Sequence, residues 1–259
     1  VHYYLLLVVR SMIKKRYFLL TVSYDGTNYC GFQLQENGIT IQEILEKYLS
    51  KTFKEKIRLR GASRTDARVH ALGQRVHFST TDFGVPKEKL KIILNHILPP
   101  DISICAVEEV SDKFHSIYDA TSKTYRYQIL NQSDPDPFLA PYFWYISRKL
   151  DLSAMRAGAD YFLGEHDFSS FRSAGYQTKT SVRKINECGW EKNENQLIFT
   201  INGNGFLYHM VRNIVGTLVE IGCGKYPPEK VLEMISACDR SAAGPTAPPQ
   251  GLFLKEVFY

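Results

Sequence analysis

One carboxylate stands among cations. Asp66 lies in Gly61-Ala-Ser-Arg-Thr-Asp-Ala-Arg-Val-His70, a stretch that opens on small residues between two strand-like segments, with Arg64 and Arg68 on either side. Cations favour the ionised form of a carboxyl group, and that form is what nucleophilic or base chemistry needs. A loop salt bridge would use the same residue types, so the spacing alone leaves both readings open. Two tyrosines, Tyr125 and Tyr127, fall on one face of a strand-like run, Ser122 to Leu130, with Arg126 on the other. A nucleobase could stack on either, and both are also ordinary sheet residues. In Gly203-Asn-Gly-Phe-Leu-Tyr-His-Met-Val-Arg-Asn-Ile-Val-Gly216, helical spacing puts Leu207, Met210 and Ile214 on a buried face, with Arg212 just off it. An arginine in so apolar a helix pairs with a carboxylate or reaches water, and Asp66 is one candidate partner.

Other chemistries are poorly served. His70, His77, His166 and His209 are scattered, with no His-Glu-x-x-His spacing, so no metal site is expected. His166-Asp167 reads either as a catalytic pair or as a cap and turn at a helix end. There is no Gly-x-Ser-x-Gly for serine nucleophile chemistry.

These residues need elements to hold them. Arg16 to Tyr24 is a β-rich run ended by Asp25-Gly26. Thr40-x-x-Glu43 forms a capping box ahead of a helix whose apolar face carries Ile41, Ile44, Leu45, Tyr48, Leu49 and Phe53. Strands are expected at Lys56 to Gly61 and Gln74 to Thr80, and a helix presenting Leu90, Ile93, Leu94 and Ile97 ends at Pro99-Pro100. The proline-containing stretch Asn131 to Pro141 separates a first half, 12–131, from a second, 132–259. The second should hold a helix over 151–163, a hairpin of 182–190 and 196–201, a helix over 206–221 closed by Gly222 and Gly224, a short helix after Pro227-Pro228, and a last strand, Leu252 to Phe258.

Charge is placed unevenly. The 259 residues carry 32 Lys and Arg against 27 Asp and Glu, a net +5. Residues 51–80 alone hold eight Lys or Arg against Glu55 and Asp66. Such a stripe either attracts phosphates, with salt-sensitive binding, or is a solvated face. With 44% hydrophobic and 23% charged residues the chain is globular in composition, and long enough to fold without disulfide or metal staples. Its five cysteines include no Cys-x-x-Cys pair, which suits a reducing compartment, the cytoplasm. The longest apolar run, Tyr3 to Val9, is seven residues, against about 20 for a membrane span. Residues 1–11 read as an extension outside the core fold.

Taken together, the segments resemble tRNA pseudouridine synthases of the TruA type, from Lys15 to Tyr259. The likeness is carried by Tyr24-Asp-Gly-Thr-Asn-Tyr-Cys-Gly-Phe-Gln33, Arg64-Thr-Asp-Ala-Arg-Val-His-Ala71, Leu94-Asn-His-Ile-Leu-Pro99, Lys123-Thr-Tyr-Arg-Tyr127, Gly164-Glu-His-Asp-Phe-Ser-Ser-Phe171, Met210-Val-Arg-Asn-Ile-Val-Gly216 and Ala247-Pro-Pro-Gln-Gly-Leu-Phe-Leu254. The resemblance implies an α+β fold of two similar α/β halves sharing a mainly antiparallel sheet around a basic cleft. It implies a homodimer acting without cofactor on uridines 38, 39 and 40 of the tRNA anticodon stem-loop. It makes Asp66 the catalytic carboxylate, puts Tyr125 against the uracil, and gives Arg212 the ion pair that orients Asp66. Arg64 would fill the space of the flipped nucleotide and Leu254 would pack beside the site. Apart from the resemblance, Arg68, a cation of the basic stripe beside Asp66, is expected among the substrate-binding residues.

Three positions depart from the family pattern: Arg68 and Ser63 stand where glycine is common, and Phe32 where tryptophan is frequent. If position 68 needs a positive φ, arginine there is strained. The isomerisation itself changes no oxidation state and transfers no atom, so a cofactor has nothing to supply. It needs an ionised carboxylate at the sugar, a pocket for the detached uracil, a group to take the C5 proton, and extrusion of the base from its stack. Two other classes compete: a catalytically idle tRNA-binding module on the same scaffold, and a metal-dependent nuclease using the histidines.

Overall fold

In the computed structural model, which describes residues 14–175 and 178–259, a ten-stranded sheet is the frame on which every site element hangs. The elements run β1 (Arg16–Tyr24), α1 (Ile41–Phe53), β2 (Leu59–Gly61), β3 (His70–Thr80), α2 (Lys87–Ile97), β4 (Ile102–Glu109), β5 (Ser122–Asn131), β6 (Trp144–Ile146), α3 (Leu152–Asp160), β7 (Gly164–Asp167), β8 (Val182–Asn193), β9 (Gln196–Gly203), α4 (Met210–Gly222), α5 (Lys230–Ala237) and β10 (Leu252–Phe258). The expected extension, residues 1–11, lies outside the described residues.

Strand order is β4-β1-β3-β10-β5-β9-β8-β7, with β2 beside β3 and β6 beside β5. Among the described residues β3–β10 and β5–β6 are parallel and the other pairs antiparallel, which is the mainly antiparallel α+β layout expected. The last strand, β10, lies between β3 and β5, so the sheet runs unbroken past the proline-containing stretch 131–141. Facing residues on neighbouring strands share a face. One such row crosses the sheet as Tyr24, Ala71, Leu254, Tyr125, Ile201 and Cys188. The next, Leu252, Tyr127, Phe199 and Trp190, is buried throughout.

Helix α1 begins where the capping box puts it: Thr40 Oγ1 accepts the Glu43 N–H at 3.3 Å, and Phe53 at the far end reaches the Phe18 ring on β1, 6.1 Å between centroids. Helix α2 stops at Ile97, before the prolines, and Asn95 on it bonds both Ile104 N and Ile104 O of β4, at 2.7 and 3.0 Å. Helices α3 and α4 cross closely at Gly158, where an added methyl would lie 3.0 Å from Ile221.

Several boundaries differ from the sequence reading. β2 is three residues rather than six, and β3 begins at His70, four residues before Gln74. Helix α4 starts at Met210, not Phe206, because Leu207–His209 form a turn and His209 sits at φ 60°. Helix α3 ends at Asp160, and Gly164–Asp167, read as a helix end, is a short edge strand on β8. β4 and β6 are additional to the strands expected, although β4 does alternate, with buried Ile102 and Ile104 set against exposed Ser103 and Cys105.

Candidate active site

The loop 62–69 between β2 and β3 is held by the last residue of β1 and the segment that follows it. Tyr24 Oη bonds Thr65 Oγ1 at 2.7 Å, Phe32 N donates to Thr65 O at 3.0 Å, and Arg68 N donates to Tyr29 O at 3.2 Å. The approach is so close that Gly31, at φ 91°, has no room for a Cβ: one would lie 2.7 Å from Thr65 O. The turn closes with Val69 N donating to Asp66 O at 3.1 Å, and Arg68 takes φ 65°. Arginine therefore occupies a left-handed position that glycine adopts without strain. The bracing leaves the Asp66 side chain 22% exposed at the floor of a cleft of about 650 Å³.

Arg212 comes from the first turn of α4. Its Nη1 lies 3.1 Å from Asp66 Oδ2 while its Nε donates to Ala247 O at 2.7 Å, so the guanidinium is fixed at two points. The segment carrying Ala247 crosses α4 at Gly216, where a Cβ would fall 1.7 Å from Pro245 O. Beneath it, buried Asn213 donates to Phe171 O at 2.8 Å and accepts from Thr246 Oγ1 at 2.6 Å and Arg240 Nη2 at 3.1 Å. The helix cannot turn without breaking that network.

Tyr125 supplies the wall opposite. It is buried, its Oη lies 2.7 Å from Ser63 Oγ, and its ring meets Phe206 edge-on with centroids 5.1 Å apart. Burial pushes its phenol up to about 12, opposed by the Ser63 hydrogen bond and reinforced by the Asp66 charge, so it is neutral at pH 7. Tyr127, two residues on, points into the core and donates to Pro248 O at 2.7 Å. Lys123 lines the cleft and donates to Ala62 O at 2.6 Å; burial lowers its ammonium to about 8, with Arg183 acting in the same direction.

Of the residues singled out from sequence, Asp66, Arg212 and Tyr125 meet in one cleft and Arg64 lines its mouth. Leu254 is fully buried, opposite Tyr125 in the β5–β10 register, and Leu252, two residues earlier, forms the cleft wall. Arg68 is exposed on the turn beside it. His166 and Asp167 do not join: His166 Nε2 lies 2.8 Å from Leu163 O, and Asp167 Oδ1 accepts from Ser169 N and Oγ at 2.8 and 2.6 Å, a turn. Sequence reasoning weighed His209 only among the scattered histidines of a metal-dependent nuclease, yet its Nε2 stands 3.4 Å from Asp66 Oδ2 and its Nδ1 3.0 Å from Ser173 Oγ. Its place three residues before Arg212 in the expected helix 206–221 was the available signal. Burial lowers its pKa; Asp66 opposes that shift, and Arg212 and Arg240 add to it, so the imidazole is neutral at pH 7.

A carboxylate fixed by an arginine, facing a buried tyrosine at the base of a cation-rimmed cleft, suits attack on a sugar with the base held alongside. The family described as tRNA pseudouridine synthase matches residues 20–119 and 159–259. The chain belongs to that family. Among its relatives, tRNA pseudouridine synthase A of Thermoanaerobacter sp. (strain X514) is 44% identical over 244 residues, covering 94% of this chain and all of the relative. The protein of the same name from Acetivibrio thermocellus is 46% identical over 240 residues, 93% of this chain and 98% of the relative. tRNA pseudouridine synthase A 2 of Clostridium perfringens is 43% identical over 240 residues, with the same coverage. As a family member the chain is an isomerase of tRNA uridine. Among the described residues no helix is long and apolar enough to cross a membrane.

Proposed function

We propose that Asp66 is the carboxylate that acts on the ribose of an extruded uridine, and that the uridines are those at positions 38, 39 and 40 of the tRNA anticodon stem-loop. The observation that carries the first part is the 3.1 Å contact from Arg212 Nη1 to Asp66 Oδ2 inside the cleft that Tyr125 walls. Arg212 keeps Asp66 aimed, with the guanidinium braced on Ala247 O so that little reorganisation is needed when the sugar arrives. In the reaction N1–C1′ breaks, the uracil turns, C5–C1′ forms, C5 loses its proton and N1 gains one. Asp66 serves either as nucleophile at C1′ or as base at C2′–H, and a kinetic isotope effect from 2′-deuterium separates the two. Tyr125, a neutral phenol, lies against the uracil. Its share in removing the C5 proton is read from Tyr125→Phe. Arg64 occupies the space the uridine leaves, Arg68 binds phosphate at the rim, and Leu254 packs behind Tyr125.

The test is release of tritium from tRNA labelled at uracil C5, since that proton leaves only when the new bond forms. Wild type should release it without added metal or cofactor. Asp66→Asn should lower release by at least about a thousandfold and leave RNA affinity within a few-fold; retained turnover removes Asp66 from the mechanism. Binding by wild type with no release under any condition would make the chain an idle RNA-binding member. The proposal includes a homodimer working in the cytoplasm, supported by the family likeness and by cysteines that are all unpaired among the described residues. It also includes a division of labour between 12–131, which bears Asp66, and 132–259, which bears Arg212. Sedimentation of the purified chain reads the dimer.

A further inference from the structure

The loop between β4 and β5 ends in an aromatic side chain that the packing of this chain leaves outside. Tyr118 is 81% exposed, although a tyrosine ring is largely apolar surface. It is nonetheless held in place. One face of its ring lies on the His115 imidazole, with centroids 4.2 Å apart and 28° between planes. His115 meets His77 edge-on at 4.9 Å, and its Nδ1 accepts the N–H groups of Ile117 and Tyr118 at 3.2 and 3.4 Å. Ser116, fully buried between them, donates to Arg60 O of β2 at 2.9 Å, and its own carbonyl accepts from Tyr259 Oη at 3.1 Å. The loop is thus fastened to the strand that leads into Asp66 and to the end of the chain, with an aromatic face turned outward.

Location decides what can cover that face. Ile117 and Tyr118 line the same cleft as Asp66, Lys123 and the exposed Arg64, and the exposed Arg60 adjoins the loop through the bond from Ser116 Oγ to its carbonyl. A flat apolar surface among cations matches a polyanion that carries flat apolar rings, which is a nucleic acid. We propose that Tyr118, backed by His115, is a stacking platform for a nucleobase of the substrate RNA next to the uridine that enters the cleft. The proposal rests on the assignment of the cleft to tRNA uridine. Extrusion strips the neighbouring base of its stacking partner, and Tyr118 offers another, so stacking lost on base flipping is partly recovered before any chemistry occurs. The side chain acts in binding, not on the reacting atoms.

The test uses anticodon stem-loop RNA with 2-aminopurine on one or the other side of the target uridine, bound to the full chain carrying Asp66→Asn so that no turnover occurs. Fluorescence should be quenched further on binding at one of the two positions, and Tyr118→Ala should abolish that quenching while Tyr118→Phe and Tyr118→Trp keep it. In the active chain Tyr118→Ala should raise KM for tRNA about tenfold, the scale of one base–aromatic stack, with kcat within twofold. Tyr118→Leu should behave as Ala. Equal quenching in wild type and Tyr118→Ala, an unchanged KM, or a loss confined to kcat would overturn the platform. So would a shift in sedimentation without any RNA effect, which would make the patch a contact between copies of the chain. Absence of tritium release by wild type would instead strike the assignment of the reaction, since the quenching experiment needs no turnover.

Discussion

The loop 62–69 and helix α4 each bring one residue to the same ion pair, and they hold it by different means. The loop has no regular structure of its own. Its shape comes from backbone contacts to Tyr29, Gly31 and Phe32, and it tolerates a non-glycine residue at φ 65°. Helix α4 is buried along most of its length, and its arginine is aimed by a carbonyl 35 residues away, that of Ala247. The carboxylate that must meet substrate is thus carried on a braced loop open to the cleft, and its partner on a helix buried along most of its length. Both partners line the cleft, and the aim of Arg212 comes from behind it, at the Ala247 carbonyl.

The largest effect should come from cutting the link between the two regions. Arg212→Ala is expected to lower turnover on the order of a hundredfold or more while tRNA affinity changes little, because it leaves the part-buried Asp66 without its partner; Arg212→Lys should recover only a fraction, since an ammonium cannot reproduce the two-point fork. Single-turnover tritium release alongside filter binding reads both, and a loss wholly in affinity would show that Arg212 does not orient Asp66. Next comes the crossing that aims Arg212. Gly216→Ala forces a methyl against Pro245 O and should cost about 3 kcal/mol in urea unfolding, with turnover falling as well; a wild-type midpoint would show that the crossing yields easily. Beside the loop, His77 on β3 accepts the Ser116 N–H at 3.1 Å, and burial first, then His115 and Arg60, lower its pKa to about 4. Its folded pKa lies below the unfolded one near 6.5, so the unfolded chain binds the extra proton. Stability present above pH 6.5 should therefore fall by on the order of 2 kcal/mol as pH drops toward 4. Unfolding midpoints of wild type and His77→Gln at pH 7 and 4.5 test this, the variant losing less. The smallest effect sharpens the loop side: Arg68→Gly should raise stability by about 0.5–1 kcal/mol through relief of the left-handed conformation. A lower melting temperature would mean that the Arg68 side chain contributes more than its backbone costs.

Much of the frame was legible because it obeys local rules. Thr40 and Glu43 start α1, the Lys192–Asn195 turn joins β8 to β9, and alternation on β5 assigns Tyr125 and Tyr127 to one face. Local rules stop where tertiary contacts decide. β7 and β6 are short strands whose pairing depends on β8 and β5, and α4 starts late because His209 is drawn to Asp66 and Ser173 instead of continuing the helix. Of the site, residue types and family motifs marked Asp66, Tyr125 and Arg212. His209, Ser63 and Tyr118 were not legible: the first two acquire their places from Asp66 and Tyr125, distant in sequence, and the third stacks on a neighbour, His115, that His77 seats from β3.

By itself, then, the sequence determined which groups are available: a carboxylate among cations, tyrosines on one strand face, an arginine in an apolar helix, and the periodicities of the main elements. Only the tertiary structure decided that β10 would lie between β3 and β5, that Arg212 would choose Asp66 across 146 positions, and that two tyrosines of one strand face would part, one to the cleft and one to the core. The reason is physical. Side-chain type and period are properties of neighbouring residues, whereas an ion pair, a stacked ring or a close backbone crossing depends on which distant surfaces the whole chain buries together.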